Sequence, residues 1–326
     1  MEKESRKIGV YNEWGRLREV VIGIEDNTVV PDYVPALRWA SKEARADFKS
    51  HGGKSSIDVD RKRILRLRKQ INNHANLLEK LGVKVHRTKP MRYMEEKEYL
   101  ANVQRGAMLF GGADFFRVIG NNVILLNSFR MPFRRKQVFI TRPVLESLIK
   151  GCDVRYAATP QPSPHYRKDD LYLENGDIMA DGYNVYVGLS GNASSPAGAA
   201  WLQQFLGKKY KVYTIELSPK ALHIDCLCSL TRPGLLTYYP DLVGELPKPL
   251  KKWDKVKVYK QKGEDEAFGA NTLTIDDKTV IVPDQYERVA DEYSKRNIEV
   301  IFEPLDATIE YGSGPRCLTG VLRRDR

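Results

Sequence analysis

Cys317 closes the stretch Gly312-Ser313-Gly314-Pro315-Arg316-Cys317. Glycines there free the backbone to take angles that a side chain forbids, and they let a flat substrate come close. A cysteine so placed is a candidate nucleophile, given surroundings that favour the thiolate and a neighbour that supplies acid and base. His223 and Asp225, in Leu222-His223-Ile224-Asp225, are two residues apart, so on a strand both point to one face. Glu174 and Asp177 lie in Leu173-Glu174-Asn175-Gly176-Asp177, and Asp114 follows Gly111-Gly112-Ala113. All six sit in apolar surroundings, where a polar group is costly unless it pairs or binds something charged. Carboxylates grouped with a histidine and a cysteine suit a planar cation. Guanidinium is such a cation: its donors lie in one plane, and carboxylates accept them in pairs. On this reading the Cys317 thiolate attacks the guanidinium carbon. His223 protonates the departing amine and later deprotonates the incoming nucleophile, and Asp225 orients His223 or holds the substrate. Plainer readings stand beside it: Cys317 as a small buried hydrophobe, Asp177 as a turn carboxylate, His223 as a satisfied core histidine. Cys226, Cys228, Met108 and Met179 read as packing residues.

The elements that must position these groups repeat. Leu17–Gly23 reads as a strand, and Ser41–Ser56 as a polar surface excursion or lid. Asp58–Leu81 reads as a helix, with Ile64, Leu67, Ile71 and Leu78 on one face, Asp58 or Asp60 as cap and Gly82 as stop. Val83–Arg87 follows as a strand. Strand, turn, strand, helix, strand then recurs. The hairpins are Asp114–Ile119 with Val123–Leu126, Leu171–Met179 with Asn184–Leu189, His223–Leu230 with Leu235–Tyr239, and Asn271–Ile275 with Thr279–Val282. Helices are expected over 142–150, 195–206 and 285–296, and the fourth unit's helix is short or missing because Pro240, Pro247 and Pro249 break it. Such a repeat argues for units around an axis rather than two independent domains. The last apolar stretch, Thr319–Leu322, has no hairpin of its own and is expected to complete the first unit's sheet. Polar residues carried at the start of each unit then converge on the axis.

Composition sets outer limits. The 326 residues are 42% apolar, enough for a large core, and a single domain over 1–326 is the expectation. No apolar run is long enough to span a membrane, and Met1–Lys7 lacks the apolar segment of a signal peptide. Four cysteines at these spacings form neither a disulfide scaffold nor a zinc site, so a reduced cytoplasmic protein is expected. The net charge of +11 would suit nucleic acid or an anionic substrate. The basic residues are scattered, however, which favours a generally basic surface over nucleic-acid binding.

At these residues the chain resembles the amidinotransferases and arginine deiminases. YNEWGRLREVVIG with the following GIEDNTVVP, then HGGK, RVIGNNVI, HIDC and the closing CLTGVLRRD look like glycine and inosamine-phosphate amidinotransferases. GSGPRC and LENGD look equally like arginine deiminases. The resemblance implies an α/β fold, the five-bladed α/β-propeller called a pentein, built of ββαβ units about a pseudo-fivefold axis. It implies Cys317 as nucleophile and His223 as general acid/base. Asp225 and Asp114 would grip guanidinium, with Glu174 the acid that precedes a second aspartate, Asp177. It further implies transfer of an amidino group from arginine or a related guanidine to an amine acceptor, through an amidino-Cys317 intermediate, with no metal or organic cofactor. Leu242 and Gly269 stand where the family carries an arginine for the donor's carboxylate and a serine. Arg232, Arg130, Arg134, Arg135 and Arg316 are therefore candidates for that carboxylate. The rival readings are a deiminase-type hydrolase making citrulline and ammonia, and a non-catalytic binding module. A phosphorylated acceptor and a homo-oligomer remain open.

Overall fold

The computed structural model describes residues 7–25, 28–90, 112–163, 167–261 and 267–326. Met108 lies outside them. Among the described residues fifteen strands form five separate three-stranded sheets. Each sheet has one plan: a middle strand pairs antiparallel with one neighbour and parallel with the other. In chain order the strands are β1 (Leu17–Ile22), β2 (Lys84–Arg87), β3 (Phe116–Ile119), β4 (Asn122–Leu125), β5 (Arg155–Ala158), β6 (Ile178–Asp181), β7 (Asn184–Leu189) and β8 (Lys211–Glu216). Then come β9 (Cys228–Arg232), β10 (Leu235–Tyr238), β11 (Asp254–Lys257), β12 (Leu273–Asp276), β13 (Thr279–Pro283), β14 (Glu299–Glu303) and β15 (Thr319–Arg324). The sheets are β15-β1-β2, β3-β4-β5, β6-β7-β8, β9-β10-β11 and β12-β13-β14. The C-terminal strand does complete the first sheet, with Val20 opposite Val321 and Ile22 opposite Thr319. Gly182 (φ 61°) and Gly234 (φ 77°) make two of the hairpin turns, which need a left-handed backbone.

A helix joins the middle strand of each unit to its parallel partner, as a parallel crossover requires. The longest, Arg61–Lys80, is capped by Asp60, whose Oδ1 accepts from the Arg63 amide at 2.9 Å. Its buried face contains Ile64, Leu67, Ile71 and Leu78, as the spacing predicts. Each such side chain contributes about 1.5–3 kcal/mol on burial. The fourth unit's helix is one turn, Lys248–Lys251, in the proline-rich stretch.

Three expectations are corrected. Residues 42–51 are a helix, not a loop, capped by Ser41, whose Oγ accepts from the Ala44 amide. No residue of that helix is buried, so it carries no apolar stripe for a pattern to reveal. A short helix, Asp306–Glu310, lies ahead of the glycine-rich turn and was not anticipated. Most consequential for the site, the polar residues at the head of each unit are not on strands. Asp114 and Asp177 lie in 3-10 turns (Gly112–Phe115 and Asn175–Asp177), and Asp225 lies in the helical turn Ile224–Leu227. The strands start one to three residues later.

One cavity touches the first strand of every sheet: Arg117 of β3, Met179 of β6, Leu230 of β9, Leu273 of β12 and Val321 of β15 all line it. The segments just ahead of these strands hold the residues singled out above.

Candidate active site

Cys317 is 4% exposed, in the turn just before β15. Its Sγ lies 3.4 Å from Asp225 Oδ2 and accepts from Asn271 Nδ2 at 2.9 Å. Arg316 holds that carboxylate in place: Nη1 donates to Asp225 Oδ2 at 3.0 Å and Nη2 to the Ile178 carbonyl at 2.8 Å.

Asn271 is a site residue that sequence reasoning missed, having taken it only as the start of a strand. It stands two residues before β12, as Asp114 stands two residues before β3. Besides the thiol, its Nδ2 meets the Asp225 carbonyl at 3.0 Å, and its Oδ1 accepts from the Arg316 amide at 3.0 Å. The repeat itself was the available signal. Asn271 also explains a glycine: a Cβ on Gly314 would lie 2.4 Å from Asn271 Oδ1, so the turn closes on the asparagine only without a side chain there. Gly312, at φ 77°, supplies the left-handed backbone.

His223 is extended, at the N-terminal edge of the turn Ile224–Leu227. Its partner is Glu174, not Asp225: Nε2 meets Glu174 Oε2 at 2.9 Å. Burial opposes charge on the imidazole. The Glu174 hydrogen bond and the charges of Asp177, Glu174 and Asp114 overcome it and raise His223 to about 10. The resting imidazole thus carries the proton that a general acid needs. Gly176 makes room for it, since a Cβ there would come within 2.6 Å of Cγ and Nδ1 of His223. The glycine of LENGD is a seat for the histidine.

Glu174 is fully buried and fully employed. Oε1 accepts from the Arg130 amide at 3.0 Å, and Oε2 is shared between His223 and Arg134, the latter at 3.5 Å. Burial alone would raise its pKa, but the imidazolium and the guanidinium hold it below the usual range. Arg134 also ion-pairs with Asp114. Cys317, Asp225, His223, Glu174 and Asp114 therefore gather from four of the five units.

Other candidates are placed differently. Asp177 was expected to bind substrate, but its oxygens accept from the Ile224 amide at 3.1 Å and the Ser194 amide at 3.0 Å, tying the third unit to the fourth. Burial pushes its pKa up to about 7. Arg232 lies at the far end of β9 with Nη1 on the Arg296 carbonyl, away from the cluster. Arg135 points Nε to the Phe129 carbonyl and Nη1 to the Ser163 carbonyl. Arg316 is taken up by Asp225, Ile178 and Glu13, the last at 3.5 Å. Glu13, from the N-terminal segment, also pairs with Arg117; against its burial, Arg117, Arg316 and Arg324 bring it down to about 2. Cys228 is buried with its thiol pushed up, which suits a packing role. Asp225, Cys226 and Cys317 bring three ligand atoms within 4.8 Å of one another. Asp225 is already neutralised there by the Arg316 guanidinium, which would repel a metal cation.

No protein-family model matches the sequence. The chain is 22% identical over 351 residues to an L-arginine:L-lysine amidinotransferase of Pseudomonas savastanoi pv. phaseolicola, spanning 96% of this chain and 93% of that protein. It is 20% identical to the mitochondrial glycine amidinotransferase of Danio rerio, over 98% of this chain and 84% of that one. Among solved structures, SxtG, an amidinotransferase of the saxitoxin pathway of Microseira wollei, superposes with a TM-score of 0.81 at 23% identity, covering 98% of both chains. The chain is thus a homologue of the amidinotransferases over nearly its full length, as its motifs implied. Its α/β fold, with five small sheets, is shared with SxtG and, more distantly, with DDAH from Pseudomonas aeruginosa at a TM-score of 0.64. Among the described residues no helix is long and apolar enough to cross a membrane.

Proposed function

We propose that this protein is an amidinotransferase that takes the amidino group of arginine, or of a related guanidine, and passes it to an amine. The observation that carries this reading is the contact of the Cys317 thiol with Asp225 and Asn271, Asp225 being two residues along the chain from the protonated His223 that Glu174 holds. In the first half-reaction the thiolate attacks the guanidinium carbon and a C–S bond forms. The carbon–nitrogen bond to the rest of the donor then breaks, and the His223 proton goes to the departing amine. With arginine the product is ornithine, and an amidino group remains on Cys317. In the second half-reaction His223, now neutral, takes a proton from the acceptor amine as it attacks, and the thiolate leaves. Asp114 and Asp225 supply the carboxylates for the guanidinium, and Glu174 positions His223. Every proton and electron pair is accounted for by these residues and the two substrates.

The same reading treats residues 1–326 as one domain whose five units close into a five-bladed propeller. The pairing of β15 with β1 and the cavity bordered by all five first strands support closure. A reduced cytoplasmic compartment suits an enzyme that depends on a free thiol.

Product analysis with and without a panel of amines tests the reaction. Transfer predicts ornithine released in step with an amidinated amine. Citrulline and ammonia formed regardless of amine would instead mean that water discharges the intermediate.

A further inference from the structure

Both carboxylates assigned to the donor guanidinium already hold an arginine: Asp114 pairs with Arg134 and Asp225 with Arg316. Arg134 ion-pairs with Asp114, reaches Glu174 at 3.5 Å, and has its guanidinium carbon 4.8 Å from the centre of the Phe129 ring. It is only 8% exposed. The charged groups acting on this spot are Asp114, Glu174, Asp177, His223 and Cys317. With His223 and Arg134 both positive, Asp114 and Glu174 are already paired before any donor arrives. A donor guanidinium added to them would be a third buried cation without a partner, which is costly. Exchange avoids that cost, because one planar fork replaces another and the carboxylates stay paired.

A second guanidinium, Arg316, sits on Asp225, but it is also fixed by the Ile178 carbonyl and by Glu13. Arg134 is held by Asp114, Glu174 and the face of Phe129. Of the two, Arg134 is the one built to yield.

We propose that Arg134 is an internal stand-in for the donor's guanidinium: at rest it occupies Asp114, one of the two carboxylates assigned to the donor, is displaced on binding, and then pairs with the donor's own carboxylate. A displaced guanidinium needs a new anion, and an amino-acid donor brings one with it. Arg134 therefore selects guanidines that carry a carboxylate over those that do not. This rests on the amidino-transfer reading for its substrate class.

Binding to Cys317→Ala, which leaves the carboxylates in place and lacks the nucleophile, tests the inference by calorimetry with arginine and with agmatine, its analogue without the carboxylate. Arginine is expected to bind at least about tenfold tighter than agmatine, a coupling of ordinary size. Adding Arg134→Gln should abolish that preference, weakening arginine and tightening agmatine. An unchanged preference, or equal weakening of both ligands, overturns the proposal.

A second measurement covers loss of stability in the variant. Millimolar methylguanidinium should raise the Tm of Arg134→Gln, and ammonium at equal ionic strength should not; the parent should respond to neither. Equal responses to the two cations also overturn the proposal. Failure of the function alone looks different: methylguanidinium would rescue Arg134→Gln although no guanidine is turned over.

Discussion

Two buried histidines each face a glutamate, and they do opposite things. His74, on the helix Arg61–Lys80, is completely buried; its Nδ1 meets Glu303 at 2.8 Å and its Nε2 meets Thr319 Oγ1 at 2.8 Å. Both ring nitrogens are used to fasten that helix to β14 and β15. His223 is nearly as buried and meets Glu174 at 2.9 Å, but it stands on a turn rather than a helix, at the place where four units meet. Around it are Asp177, Asp114 and Arg134, with the Cys317 thiol held by the neighbouring Asp225 and Asn271. Neither burial nor a carboxylate partner marks a functional histidine. What marks it is unbalanced chemistry close by, delivered from separate segments of the chain. The satisfied core histidine that the sequence allowed for His223 exists in this molecule, and it is His74.

The sharpest way to break this comparison is to make the same substitution twice. His223→Asn should lower kcat by about 10²–10⁴, the usual range for a lost general acid–base, and should also lower Tm, because the buried Glu174 loses its imidazolium. His74→Asn should leave the kcat of folded protein nearly intact and cost about 1–3 kcal/mol in urea unfolding, because Glu303 loses its buried hydrogen-bond partner. Exchanged phenotypes would mean that the two roles are reversed.

A smaller perturbation reaches only one of the pair. In Gly176→Ala the new methyl falls 2.6 Å from the His223 ring and must shift it. A displacement near 1 Å is expected to cut kcat about 10²-fold, with KM less affected. Wild-type kcat would show that the imidazole's seat is irrelevant.

The pH dependence of stability sharpens the contrast further. His223 is raised from 6.5 to about 10 in the folded protein, so its stabilising contribution is complete below about pH 6.5 and lost as the pH rises through 10. Glu174→Gln should flatten the fall in urea midpoint across that window. An unchanged profile would show that the imidazolium is not held by Glu174.

The mildest change concerns the thiol. Asn271→Ala removes a donor to Cys317 Sγ and should slow its alkylation by iodoacetamide about tenfold, equivalent to one hydrogen bond of about 1.4 kcal/mol. An unchanged rate would mean that the amide does not support the thiolate.

The four hairpins and the long helix were legible because burial imposes period two on strands and 3.6 on helices, and those periods survive in sequence. The helix 42–51 left no trace of that kind because it buries nothing. The turns carrying Asp114, Asp177 and Asp225 were read as strand ends, since a single helical turn is too short to establish its own period. In His223-Ile224-Asp225-Cys226-Leu227 the alternation of apolar and polar residues mimics a strand. Cys317 and His223 stood out by type. Asn271 did not, because asparagine before a strand is ordinary unless the other units are laid beside it. Arg134 was legible as a cation near the site, but not as the occupant of its carboxylates. That depends on Asp114, 20 residues away, and Glu174, 40 residues away, meeting at one guanidinium.

The central claim is that Cys317 takes up an amidino group, and intact-protein mass spectrometry after rapid mixing with arginine tests it most directly. The account predicts a single amidino-sized adduct, mapped to Cys317 by peptide analysis, formed as ornithine appears, discharged by an amine, and absent in Cys317→Ala. Turnover of arginine with an unmodified Cys317 at every time point, or an adduct that persists in Cys317→Ala, would contradict it.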